Sequence, residues 1–342
     1  MRFALSDEQR LLAKSVADVL RKHATPADVR AAWSSDVGSA ERWAQLADLG
    51  VPAMLVPEQH GGLGLSELDM VVVLEQVGRF ALPEPVLETA MIVAPLLAAS
   101  SAPEAAAPLA RIVAGEITAA VLFDDARVAA NLHGASVVVL ARATEGVQWF
   151  EPAAGATKAR RSVDGARRLG ELCAPPTWAP MVTGDRAAEL TARARDRAAL
   201  GAAAELVGLG RAMLDMAVDY TKVREQFGKP IGSFQAVKHH LASAHVALEL
   251  ARPAVLYAAQ RTSERAADSS RACSLAKAVA SDAATGAARA SLQCHGAIGY
   301  SFEHDLHLWM KRTWALARAH GDAATQRARV AALILDHNEG RS

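Results

Sequence analysis

Three stretches of this 342-residue chain carry side chains that could do chemistry. In REQFGKPIGSFQAVKHHLA, Arg224 to Ala242, a long apolar-striped helix ends on an arginine and a phenylalanine, turns through GKPIG and starts again at once. Gly228 and Pro230 are ordinary helix stops, and Lys222 and Arg224 suit the negative end of a helix dipole. Either this is a plain corner, or it grips something outside the chain. PEQHGGLGLSELD, from Pro57, has the glycines of a phosphate cradle, but a cradle should follow a buried strand. None precedes it, and Ser66 and Asp69 cap a further helix, so it reads as a connector. Glu303, His304, Asp305 and His307, and the pair His239 and His240, are metal-ligand types. Adjacent histidines point apart on a helix, and EHDLH lacks the i, i+4 spacing of HExxH. Tyr300, His304 and His307 are expected to position a connector instead.

These residues must be held by helices. Hydrophobic residues make up 51% of the chain and aromatics 5%, a core of alanine, leucine and valine that favours close-packed helices. Ser6 with Gln9 forms a capping-box pair ahead of Leu11, Leu12, Val16, Val19 and Leu20. ERWAQLADLGV, LDMVVVLEQVGRF and ALPEPVLETAMIVAPLLAAS continue the helical pattern to about residue 113. EITAAVLF, ARVAANL, ASVVVLAR and GVQWFEP then read as short strands, ended by the prolines of CAPPTWAP. From Asp185 onward Leu200, Leu206, Leu209, Met213, Met216, Tyr220 and Val223 predict one helix of about forty residues. Helical runs near 234–264, 267–294 and 316–337 follow, and four long helices pack most simply as a bundle. The expected organisation is mainly α: a helical unit over 1–113, a reduced β unit over 114–182 and a four-helix bundle over 183–342.

Lysine and arginine total 37, balanced by 37 acids, so composition gives no reason to expect nucleic acid or an anionic membrane as partner. Cys173, Cys273 and Cys294 are widely spaced, which fits a reducing compartment. The N-terminus is charged where a signal peptide needs an apolar run, and no apolar stretch is long enough to cross a bilayer. A soluble cytoplasmic protein is expected.

REQFGKPIGSFQAVKHHLA resembles the C-terminal signature of the acyl-CoA dehydrogenase family. QCHGAIGYSFEHDLHL, Gln293 to Leu308, resembles a second family motif at the expected place, and PEQHGGLGLSELD resembles the family's PExxGGLGLS connector. The resemblance covers both helical units in order. It implies the family's helix–β–helix organisation, FAD as cofactor, and removal of hydrogens from the α and β carbons of an acyl-CoA thioester. A carboxylate takes the α proton, acidified by its polarised carbonyl, while the β hydrogen leaves as hydride. The resemblance further implies that Arg224 reaches the FAD diphosphate held by a neighbouring subunit, where its fork suits phosphate oxygens. Phe227 would lie against the cofactor and Gln235 near its adenosine end. Gln293 and Gly296 would meet it through QxxGGxG, with Ala297 in place of that motif's second glycine.

The chain departs from the family pattern in two respects. No TEPxAGSD-like strand or WITN-like segment occurs between 114 and 182; VLFDDARVAANLH stands about where the first belongs. The usual base position falls on His320, and the alternative position on the long helix falls on Ala198. Asp196 lies about 200° around the helix from Ala198, and Glu205 lies about 10 Å along the axis. The departures resemble those of the shortened partner in heteromeric bacterial relatives of steroid side-chain breakdown. The expectation is therefore a flavin-dependent subunit working on an acyl-CoA with a homologous partner, passing electrons to an acceptor flavoprotein. The alternatives are a self-sufficient homo-oligomer using His320 or Glu205 as base, and a homologue that has lost redox chemistry.

Overall fold

The computed structural model describes residues 4–35, 38–174 and 176–339. Helix α1 (Asp7–His23) starts at the predicted box: the Ser6 hydroxyl accepts from the Gln9 amide while the Gln9 side chain accepts from the Ser6 amide. Helices α2 (Pro26–Ala32) and α3 (Ala40–Asp48) follow, and Gly50 leaves α3 at φ 73°. A second capping box, Ser66 with Asp69, opens α4 (Glu67–Arg79), so the glycine-rich stretch is a connector between helices.

The segment after the two prolines begins as a π-helix, Leu87–Val93, and continues as α5 (Ala94–Ser100). Pro95 has no N–H to donate, and the Ala94 N–H reaches the Thr89 carbonyl across the widened turn. The Thr89 hydroxyl accepts from the Ala119 amide at 2.9 Å, which ties this turn to the first strand. Helix α6 (Ala106–Val113) completes the leading helices.

The four expected strands are present as β1 (Ala119–Phe123), β2 (Val128–Ala129), β3 (Val137–Arg142) and β4 (Gly146–Phe150). Two more, β5 (Thr157–Ala159) and β6 (Gly170–Leu172), are each three residues long and carry too little apolar pattern to be read from sequence. One sheet has the order β1-β3-β4, with β1 parallel to β3 in the register Val121 to Val139; the other is the antiparallel β2-β6-β5. Side-chain alternation gives the first sheet two buried faces. Val121, Val137 and Val139 join the main core, while Leu122, Val138 and Leu140 pack with Leu132 and Leu172 in a second small core.

Helix α7 (Gly184–Val223) is the predicted forty-residue helix, and α8 (Gln235–Ser263) and α9 (Ser269–His295) fall close to their expected bounds. The fourth run requires correction. It is two helices, α10 (Leu306–Arg318) and α11 (Ala323–Glu339), and the expected start near 316 lies inside α10. His320 and Gly321 between them have φ of 56° and 85°, a left-handed pair that no helix continues through. The Asp322 carboxylate then accepts from the Thr325 amide at 2.8 Å and starts α11.

Helix α7 crosses α4 at backbone contact. A Cβ on Gly208 would lie 1.9 Å from the Glu75 carbonyl oxygen, and one on Gly78 would lie 2.0 Å from that of Glu205. The crossing also buries an ion pair, Glu67 with Arg197, at 2.7 and 3.0 Å. Ser263 of α8 donates to the second carboxylate oxygen at 3.0 Å, so the buried charge is hydrogen-bonded as well as paired. Among the described residues no helix is long and apolar enough to cross a membrane.

Candidate functional site

The corner after α7 is a tight hairpin. Arg224 caps α7, its amide bonded to the Tyr220 carbonyl at 2.9 Å, and its own carbonyl accepts from Ile231 at 2.8 Å. Strands β7 (Glu225–Gln226) and β8 (Lys229–Pro230) pair across Phe227 and Gly228, at φ 55° and 74°. Two positive φ values give a type I′ turn, which usually carries Asn-Gly or Asp-Gly. A phenylalanine there is costly, by about 1–3 kcal/mol, and the residue is 91% exposed, with the Phe234 ring edge-on to its own at 6.0 Å. Arg224 is exposed, and among the described residues its guanidinium makes no hydrogen bond or ion pair. Gln235 opens α8 beside it, also exposed.

The QCHGAIGY segment lies at the same end of the bundle. His295, the last residue of α9, stacks on Tyr220 with ring centroids 4.6 Å apart, and His304 packs against it at 4.6 Å. Burial pushes the His295 pKa down, which keeps this contact neutral. Gly296 ends α9 at φ 64° and ψ −139°, with nothing within 4 Å of where a Cβ would be. Gly296 and Ala297 are exposed, while Gln293 lines an open groove between α8 and α9 with His240, Ser243 and Arg289. Arg224, Phe227, Gln235, Gly296 and Ala297 thus cluster at one end of the bundle, with Gln293 one turn back.

Ala198 and His320 border a single cavity of about 530 Å³. Its other walls come from β1 and β2 (Val121 and Val128), from Glu88 in the π-helical turn, and from Arg167. VLFDDARVAANLH therefore runs along this cavity. The His320 Nε2 is buried without a hydrogen-bond partner among the described residues. Burial, with Arg167 and Lys277 nearby, pushes its pKa down to about 3, so the imidazole is a neutral and very weak base. Lys277, fully buried on α9, donates to the carbonyls of Ala317 and Gly321 at 3.0 and 3.2 Å and so holds the turn carrying His320.

Glu205 sits elsewhere. It lines a small void with Glu88, Arg167 and Arg312, and burial with Glu88 close by raises its pKa to about 8. Asp196 is committed to the helix packing, accepting from Ser270 and, at 2.8 Å, from Arg329. Neither carboxylate borders the cavity of Ala198 and His320.

The description "Acyl-CoA dehydrogenase, N-terminal domain" matches residues 6–116, and "Acyl-CoA dehydrogenase, C-terminal domain" matches 189–335. The acyl-CoA dehydrogenase IpdE2 of Mycobacterium tuberculosis is 35% identical over 93% of this chain and 92% of its own length. The chain belongs to the acyl-CoA dehydrogenase family. The ChsE4-ChsE5 complex of M. tuberculosis contains a similar chain, with TM-score 0.85, 25% identity and coverage of 98% and 99%. A chain of the Tcur3481-Tcur3483 steroid ACAD has the same fold, with TM-score 0.88, 24% identity and coverage of 97% and 99%.

Members of this family are oxidoreductases acting on the CH–CH bond of acyl-CoA thioesters. The three quoted family stretches all fall within the matched domains. Glu88, Arg167 and Lys277 went unnoticed in the sequence. Glu88 looked like one more polar residue in an apolar helix, and only the π-helical turn aims it at the cavity. Arg167 lies in a turn between two three-residue strands, with no periodicity to mark it.

Proposed function

We propose that this chain is a subunit of an FAD-dependent acyl-CoA dehydrogenase and completes the FAD site of a homologous partner. The observation that carries the reading is the cavity of Ala198 and His320, where both base positions lack a carboxylate while the exposed corner keeps an uncommitted guanidinium. Chemistry lost inside and a clamp kept outside are what a donating subunit needs.

In this reading Arg224 sets its fork on the cofactor's diphosphate, a planar bidentate contact that lysine does not reproduce. Phe227 covers an edge of the cofactor with its ring, the role that accounts for a bulky side chain on a strained turn. Gln235 donates near the adenosine end, and Gln293, Gly296 and Ala297 bring an amide and exposed backbone close to the dinucleotide. Bound FAD supplies the acceptor for the β hydrogen. The partner provides the base, and packing of the two subunits excludes water from the thioester. An acceptor flavoprotein is the expected electron-transfer partner, and a cytoplasmic assembly of two homologous chains is expected.

The test is co-expression with a homologous chain that has a glutamate at the base position. The pair should purify with bound FAD, measured by absorbance, and Arg224→Ala should weaken its retention. A homodimer of this chain with full FAD occupancy and turnover would overturn the reading. One observation favours that rival: Glu88 is a carboxylate on the cavity wall, and flavin bleaching by acyl-CoA that is lost in Glu88→Gln would assign the base to it.

A further inference from the structure

The cavity is more than the remnant of a catalytic pocket, because its charges are unevenly satisfied. Three arginines line it. Arg195 pairs with Asp124 and lies over the Phe123 ring, and Arg329 pairs with Asp196 at 2.8 Å. Arg167 is different: among the described residues its guanidinium has neither a hydrogen bond nor an ion pair. Glu88 gives it the largest favourable charge interaction without reaching ion-pair distance, and among the described residues the Glu88 carboxylate makes no hydrogen bond either. Burial lowers the Arg167 pKa, yet a guanidinium stays charged at any working pH. A desolvated fork of N–H donors beside an apolar chamber is complementary to a carboxylate.

We propose that this cavity binds a small amphipathic carboxylic acid, its apolar body against Val121, Val128 and Ala198 and its carboxylate on Arg167. The volume, about 530 Å³, lies within the range of small-molecule sites, roughly 300–1,000 Å³. Its walls are valine, leucine and alanine from β1, β2 and α7, with the charged end at Arg167 and the neutral His320 on another side. A neutral imidazole neither repels the acid nor competes for the fork. The ligand is a free acid without the thioester carbonyl that acidifies an α proton, so no bond is made or broken. This site does not depend on the flavin reading, since it uses neither Arg224 nor a partner.

The experiment is isothermal titration of the isolated full chain, its fold checked by circular dichroism, with sodium decanoate and with 1-decanol. Decanoate should bind one per chain and at least about tenfold more tightly than the alcohol, the lower end for a hydrogen bond to a charged group. Arg167→Met should erase that preference, and Ala198→Trp, which fills the chamber, should abolish binding of both. Glu88→Gln removes the like charge and should tighten decanoate severalfold while leaving decanol unchanged. Equal affinity for acid and alcohol, an unchanged preference in Arg167→Met, or no decanoate binding by the folded chain at millimolar concentration would each overturn the proposal.

Discussion

Tyr220 of α7 stacks on His295 of α9, ring centroids 4.6 Å apart and planes within 20° of parallel. The Tyr220 carbonyl also accepts the amide of Arg224. One residue therefore fixes the corner carrying the arginine against the turn carrying Gly296 and Ala297. The geometry of the candidate clamp is set inside this chain before any cofactor arrives.

Arg224 is exposed and uncommitted, so its loss should not touch stability. Arg224→Ala is expected to leave the unfolding free energy of the isolated chain within about 0.5 kcal/mol of the parent, as for surface sites generally. In the co-expressed complex the same variant should weaken FAD retention by about 10- to 100-fold, the range for charge-assisted contacts. Arg224→Lys should recover only part of it. Denaturant melts and flavin release measured side by side separate the two effects.

His320 should tie stability to acid. Its pKa is about 3 in the fold against 6.5 unfolded, so between those values the unfolded chain binds more protons. Stability from this group is fully present above pH 6.5 and lost as pH falls toward 3, with a slope of at most about 1.4 kcal/mol per pH unit. His320→Gln should flatten that part of the profile, as read from urea midpoints between pH 7 and 4.

Glu205 should act in the opposite direction. Its pKa rises from 4.5 to about 8, so the folded chain holds a proton that the unfolded chain releases. The stability it contributes is present below pH 4.5 and lost as pH rises through 8. Glu205→Gln mimics the protonated form, and its melting temperature should gain on the parent as pH climbs from 5 to 9. A constant difference across that range would show that Glu205 does not titrate in the fold.

The crossing of α4 over α7 leaves no room at Gly208. Gly208→Ala would press a methyl to 1.9 Å from a backbone oxygen and 2.7 Å from the Arg79 nitrogen, neither of which can swing aside. Separation of the helices should cost about 1–3 kcal/mol, as for overpacked cores. Calorimetry of the isolated chain measures it directly.

The helices could be read because their apolar stripes and caps are local. Ser6 with Gln9 and Ser66 with Asp69 carry their own start signals, and the repeat from Leu200 to Val223 runs the length of α7. The break at His320 and Gly321 was missed because the apolar pattern continues across it, while the turn depends on Lys277, more than one helix away in sequence. The same distance effect hid the cavity. Counting along the chain put the family's two alternative base positions at His320 and Ala198, and the fold places both on the walls of one cavity. The charges between them, Glu88 and Arg167, come from a π-helical turn and a short loop whose directions only tertiary packing decides.

The ring of Phe227 has a consequence for how such a chain lives in the cell. A large apolar face held outward on a rigid two-residue turn cannot fold back to hide, so the unaccompanied chain presents a permanent adhesive point. Its solubility should then follow the supply of whatever covers that ring, with uncovered copies lost to aggregation or proteolysis; under the proposed pairing, the amounts of the two chains should settle near equality without any separate control.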